Sequence, residues 1–386
     1  MSRPSSALTW PKIHAWRLRR QLLEPIGRLD VAATVRALCG VQAQVSSAAE
    51  LAVAVRREPP APHALSDALA ARRVLRTWAM RGTLHLLAPE DAPAYLGLVG
   101  ATRTWERPAW QRAFAVNAEQ LEMLAEAVSE VLDGRVLERG ELIEEIARRT
   151  GHRELDEPLR SGWGAVLKPL AWMGLLCNGP ARGNRVTFTS PATWVPGWPG
   201  VPEPDEAART VIPSYLRAHG PAQMSTFDAW LTRGNSRKRD LRRWFEMLAE
   251  EGVLNQVSVE GASEGADGAN PFYALEDDLH DLAAAVPSEV LRLLPGFDQY
   301  VLAPGTGDPE IVAPARRALV SKTAGWISPV VLRGGRVVGT WELDAGLARI
   351  ALFAETGGID DAALAEEVTR VGACLGRELD LTVTTV

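Results

Sequence analysis

Thr226-Phe227-Asp228-Ala229-Trp230-Leu231 reads as a short helix, Gly234-Asn235 as a turn, and Ser236 to Glu250 as a second helix. Gly252-Val253-Leu254-Asn255-Gln256-Val257 then reads as a strand. A helix–turn–helix followed by a two-stranded wing is the winged-helix plan. Working outward, the same order occurs twice more. Upstream, helical spacing shows in Ile13, Trp16, Leu18, Leu22 and Leu23; Asp30 is a cap and Gly40 a stop for the next helix. Ser47-Ala48-Ala49-Glu50 has the form of a capping box opening a further helix through Val55. Arg76 to Leu87 alternates like a hairpin turning near Gly82. Between these copies lie helices over Glu119–Leu132, Gly140–Arg149 and Gly164–Leu176. A turn-rich basic segment (Asn178 to Arg185) and the strand Val186–Thr189 close that unit. Three copies of one pattern carry more weight than one.

The proline-rich run from Pro191 to Pro204 reads as a linker, and Gly261 to Gly268 as a mobile surface loop. After Pro287 the pattern changes to short β-rich runs, with Arg333-Gly334-Gly335-Arg336 as a tight hairpin and a final helix from Asp360 to Leu375 before the strand Leu379–Val383. The expected fold is α+β and mostly helical, with three tandem winged-helix units and a C-terminal antiparallel β-barrel-like domain. The expected segments are 1–89, carrying the candidate catalytic motif, 90–190, 205–285 and 286–386.

Composition narrows the function. The chain has 386 residues, 46% of them apolar, enough for several cores. No apolar run approaches a membrane span, and Met1 to Ser6 lack the apolar core of a signal peptide, so a cytoplasmic protein without membrane partners is expected. Cys39, Cys177 and Cys374 form no CxxC pair, which removes zinc-finger and disulfide-scaffold readings and leaves three buried small hydrophobes. Glycine-rich nucleotide cradles, HExxH and nucleophile elbows are missing too, so neither a metal nor an organic cofactor is expected. A net charge of −6 means that any nucleic-acid binding must rest on local basic patches.

The segment Gly40-Val41-Gln42-Ala43-Gln44-Val45-Ser46-Ser47 lies between a helix stop and a helix start, so its middle is extended. Alternation then puts the amides of Gln42 and Gln44 side by side, where two carboxamides can hold one water molecule. The competing reading has both glutamines satisfying backbone groups in a helix–helix connection. Arg233, Arg237, Lys238 and Arg239 cluster, with Arg242 and Arg243, around the start of the third unit's second helix. That is a natural phosphate site, or a solvated charged face. Arg81 and His85 lie on the first wing and are candidates to meet DNA.

Taken together, Val41-Gln42-Ala43-Gln44, Trp78 to His85, Leu294-Pro295-Gly296-Phe297-Asp298-Gln299-Tyr300 and Ile327 to Leu332 resemble the tandem winged-helix DNA glycosylase family of AlkZ and YcaQ, over essentially the whole chain. The resemblance implies a C-shaped array closed by a barrel, with catalysis by the paired polar motif, here Gln42 and Gln44. Glutamine rather than aspartate at position 44 places the chain with the AlkZ-like branch, which is associated with self-resistance in producers of DNA-alkylating natural products and includes enzymes that unhook interstrand crosslinks. The implied reaction is monofunctional hydrolysis of the N-glycosidic bond of cationic N7-alkylguanine or N3-alkyladenine in double-stranded DNA, by a monomer acting at the nucleoid. A cationic purine leaves as a neutral base without acid assistance, so a positioned water suffices. The alternatives are a winged-helix transcription regulator without catalysis and an architectural DNA-binding protein.

Overall fold

The computed structural model describes residues 7–161, 164–262 and 270–386. Met1 to Ser6 and most of the expected surface loop, residues 263–268, lie outside the described residues.

Three units share one order of elements. The first runs through the helix Val31–Ala37, strand β1 (Val41–Gln42), helices Ser46–Ala54 and Ala64–Ala70, and strands β2 (Leu75–Trp78) and β3 (Leu84–Leu87). The second has the helix Ala118–Val131, β4 (Leu137–Glu138), helices Arg139–Thr150 and Leu167–Trp172, β5 (Cys177–Asn178) and β6 (Thr187–Thr189). The third has Pro204–His219, β7 (Ala222–Gln223), Met224–Thr232, Lys238–Glu250, β8 (Leu254–Val257) and β9 (Phe272–Leu275). In each sheet the last strand is central, giving the orders β1-β3-β2, β4-β6-β5 and β7-β9-β8. The leading strand of each unit has two residues, too short to leave a period-2 signature.

Local chemistry sets the boundaries. Asp30 accepts from the Ala33 N–H at 2.8 Å, and Gly40, at φ +89°, sends its N–H back to the Val35 carbonyl at 2.9 Å. The expected Ser47 capping box does not form. The helix starts at Ser46 without a side-chain cap, and Glu50 reaches across to accept the Leu65 N–H at 3.0 Å, supplying a cap to the next helix. The second unit's helix is shorter than its pattern suggested because Gly164 takes φ +62° against the Trp78 ring, where a Cβ would approach to 2.6 Å.

One apolar cluster runs through the units, from Cys39 and Leu75 through Leu121, Leu167 and Phe188 to Phe227, Trp230 and Phe245. The N-terminal helix Trp10–Arg20 packs on the third unit: Ile13 and Trp16 join Phe272, Ala274 and Leu282. The run from Pro191 to Pro204 is a packed connection rather than a loose linker. Trp194 is buried, with its indole N–H on the Val74 carbonyl at 3.2 Å, and Trp198 and Val201 cover the same core. All three cysteines are free and buried.

The C-terminal sheet is open rather than barrel-like. Its order is β10 (Leu291–Leu294), β11 (Val330–Arg333), β12 (Arg336–Asp344), β13 (Leu347–Leu352) and β14 (Asp380–Thr385). The first three pairings are antiparallel, but β13 and β14 run parallel, because the helix Asp361–Leu375 carries the chain back across the sheet. A buried ion pair pins this domain to the first unit. Arg56 grips both oxygens of Asp298 at 2.7 Å, and its remaining donors take the Ala52 and Gln21 carbonyls. Gly296 lets the chain pass under the Ile327 carbonyl, which a Cβ would meet at 2.7 Å. Of the stretches that carried the family resemblance, Leu294–Tyr300 therefore holds this domain to the first unit, and Ile327–Leu332 braces it from within.

Candidate active site

β1 places the motif. Val41 and Gln42 pair with Leu86 and His85 of β3, and the Ala43 N–H continues the ladder to the Leu84 carbonyl at 2.7 Å. The segment is extended, as its flanking stop and start required. From β2, Arg76 donates to the Ala43 carbonyl at 3.1 Å and fixes the middle of the motif. Gln42 is only 6% exposed, whereas Gln44 stands in solvent.

The two amides are held differently. Arg81 donates through Nη2 to Gln42 Oε1 at 3.0 Å and through Nη1 to the Trp230 carbonyl of the third unit at 2.8 Å. A guanidinium has no acceptor, so this contact orients the Gln42 amide: oxygen toward Arg81, NH2 away from it. Gln44 Oε1 takes only a long 3.4 Å contact from the Leu84 N–H. At that length and exposure the bond is weak, and the side chain can turn over.

Arg81 does not stand out from the wing toward DNA, as its hairpin position suggested. With φ +57° it and Gly82 (φ +68°) form the tight turn between β2 and β3, and its side chain folds inward. Burial, and secondarily Arg233, lowers its pKa to about 10, still charged at neutral pH. His85 is also corrected: it is fully buried and cannot touch DNA in this structure. Its Nδ1 faces the Thr83 carbonyl at 3.0 Å, which requires the proton there, and burial with the nearby Arg81 charge pulls its pKa down to about 3. His85 is thus neutral behind Gln42.

The basic cluster of the third unit is exposed as expected. Arg237 is the N-cap residue of Lys238–Glu250, and Lys238 and Arg239 open that helix. Arg243 pairs closely with Asp205 at 2.6 Å, and Arg239 more loosely with Asp240 at 3.7 Å. Arg233 caps the preceding helix in a left-handed conformation, φ +61°, and points into a groove of about 260 Å3 that it shares with Arg81 and Lys168. Lys168 was missed in the sequence. Its only signal was repeat position, the start of the second unit's helix equivalent to Lys238–Glu250.

Among the described residues no cluster of three or more His, Cys, Asp or Glu side chains is placed to hold a metal ion, and no helix is long and apolar enough to cross a membrane. The site can orient a small molecule through a locked amide donor and a mobile amide beside it.

Residues 35–374 match the sequence model of the family described as DNA glycosylase AlkZ-like. An interstrand DNA cross-link repair glycosylase of Streptomyces sahachiroi is 45% identical over 369 residues, spanning 95% of this chain and 97% of that protein. The solved structure of the Streptomyces sahachiroi DNA glycosylase AlkZ superposes with a TM-score of 0.93 at 44% identity, covering 98% of this chain and all of the other.

Proposed function

The chain belongs to the AlkZ-like DNA glycosylase family, and from that membership we propose that it releases cationic N7-alkylguanine and N3-alkyladenine from double-stranded DNA, bulky natural-product adducts and interstrand crosslinks among them. Membership makes it an enzyme acting on N-glycosyl bonds, so the regulator and architectural alternatives fall away. The crosslink reading draws on the activity named for the relative from Streptomyces sahachiroi. One observation supports the chemistry best: Gln42 is buried, and its amide orientation is imposed by Arg81.

In the proposed reaction the Gln42 N–H donates to one lone pair of a water molecule, and the other lone pair attacks C1′. Gln44 turns its oxygen to accept a water proton and orients the molecule further. The C1′–N9 bond breaks, its electrons neutralise the cationic purine, and the excess proton passes to solvent. Both glutamines act by positioning rather than as strong bases, which restricts turnover to activated purines. Neutral His85 adds no second positive charge to that of Arg81 beside the developing sugar cation. No Schiff-base step is needed, so the product is an abasic site, made by a monomer without a metal or organic cofactor.

The test is incubation with duplex DNA containing N7-methylguanine, followed by alkali. Expected are strand breaks at the lesion and free methylated base, retained in EDTA. Intact strands with DNA bound would defeat the proposal, and an EDTA-sensitive activity restored by metal would defeat its cofactor-free form.

A further inference from the structure

The groove beside Arg81 lies where all three winged-helix units meet, and its composition is specific. Arg81 from the first wing, Lys168 from the second unit and Arg233 from the third converge in it, and no carboxylate among the described residues lines it. None of the three cations forms an ion pair among the described residues, although most arginines outside this groove do. Lys168 is held below its usual range, first by burial and then by Arg233. Two of the cations, Arg81 and Arg233, sit on left-handed backbone, which non-glycine residues disfavour.

The opposite wall is aromatic. The helix Pro108–Phe114 buries none of its residues, yet it carries Trp110 and Phe114 one turn apart with ring centroids 5.0 Å from each other. Trp110 packs partly against the shared core while Phe114 stays exposed beside it, so core packing accounts for only part of this aromatic wall. Arg107, the N-cap of that helix, latches the wall to the third unit through Asn235, at 3.0 Å to its side chain and 3.1 Å to its carbonyl. Trp172, in the floor, has a buried indole N–H without a partner among the described residues.

Three cations without counter-charge repel a cationic alkylpurine, so the groove is not the place for the lesion base. They attract a phosphodiester, and the rings beside them suit a stacked planar base. We propose that this groove binds one nucleotide of DNA flanking the lesion, its phosphate between Lys168 and Arg233 and its base against Trp110 and Phe114. Arg81 forms the wall shared with the active site, so an occupied groove brackets Gln42. The inference rests on the DNA-glycosylase reading for its ligand, but its test does not use base release.

The experiment is binding of lesion-free duplex DNA by fluorescence anisotropy over a salt series. Lys168→Met and Arg233→Met should each weaken binding about tenfold, the worth of one charge-assisted hydrogen bond. Each should also reduce the slope of log affinity against log salt by roughly one. In duplexes carrying a single methylphosphonate at successive positions, one position should weaken wild type by itself and abolish the difference between wild type and Lys168→Met. Trp110→Leu should lose roughly tenfold on a duplex with one unpaired, extrahelical nucleotide, and less on a fully paired one. Wild-type affinity of Lys168→Met at all salt concentrations would overturn the site. So would a defect that no methylphosphonate position relieves, which would mark a diffuse field only. Binding as described by a protein that releases no base would sink the glycosylase chemistry and leave the groove standing.

Discussion

Arg81 Nη2 lies 3.0 Å from Gln42 Oε1, and because arginine can only donate, this one contact decides which end of the Gln42 amide is free. Removing it should leave the amide free to rotate. Arg81→Met is expected to slow single-turnover base release about 10- to 100-fold, the scale of losing one positioned polar group. Combining it with Gln42→Ala should add little to the latter alone, since both act on the same amide. A full additive loss in that double variant would make Arg81 merely structural.

The two glutamines should respond differently to a carboxylate. Gln42→Glu removes the donor and sets an anion against Arg81, so base release should fall as far as in Gln42→Ala. Gln44→Asp or Gln44→Glu keeps an acceptor in an exposed position and should retain activity on cationic purines. Gln44→Ala should leave the melting temperature unchanged, because the side chain stands in solvent, while slowing base release by on the order of 10-fold or more. Equal behaviour of the two positions in these assays would refute the division of roles.

Arg237, Lys238 and Arg239 form an exposed basic helix start. Charge removal at any of them should weaken binding to all DNA sequences alike and flatten the salt dependence, without a sequence or lesion preference. Unchanged affinity in titrations at low salt would show them to be an ordinary solvated face.

His14, His85 and His219 are buried, with pKa values pulled down to about 3 chiefly by burial, against about 6.5 in the unfolded chain. Above pH 6.5 they are neutral in both states and their burial carries no protonation penalty. As pH falls from 6.5 toward 3 the unfolded chain binds protons that the fold refuses. Each histidine then removes up to about 1.4 kcal/mol of stability per pH unit. Urea midpoints should therefore drop steeply below pH 6. The drop should be smaller in His219→Gln, once the variant's own stability at pH 8 is subtracted. An equal slope in that variant would dismiss the account for this residue.

Asp298→Ala leaves the fully buried Arg56 without its counter-charge and should cost about 3–5 kcal/mol, read as a lowered urea midpoint. Substituting Arg56→Met and Asp298→Leu together should recover much of that loss. If the double variant is no more stable than Asp298→Ala, the pair contributes through packing rather than charge.

Much of the fold could be read directly. Helix spacing, the Asp30 cap, the Gly40 stop and the Gly334-Gly335 hairpin are local events, governed by groups a few residues apart, and the chain repeats its order of helices and strands three times in the winged-helix units. The extended conformation of Gln42 and Gln44 was legible for the same reason: a stop and a start six or seven residues apart force an extended segment. The capping box at Ser47 failed because Glu50 found a stronger use across space, on the Leu65 N–H. The barrel-like reading failed because the edge strands β10 and β14 do not pair with each other, and a crossover helix rather than a hairpin adds β14 in parallel.

What sequence alone determined, then, was the order of elements and the extended form of the Gln42–Gln44 segment, since both depend on spacing along the chain. Tertiary structure decided which way the side chains face. Arg81 and His85 read as wing-tip contacts but turn inward, because the third unit offers the Trp230 carbonyl and a dry interior 149 residues away in sequence. Lys168, Arg233, Trp110 and Phe114 carry no shared pattern, and only the packing of separate units brings them to one groove. Periodicity encodes the face of an element, but a site made by three elements meeting depends on how those faces dock, and no local rule contains that.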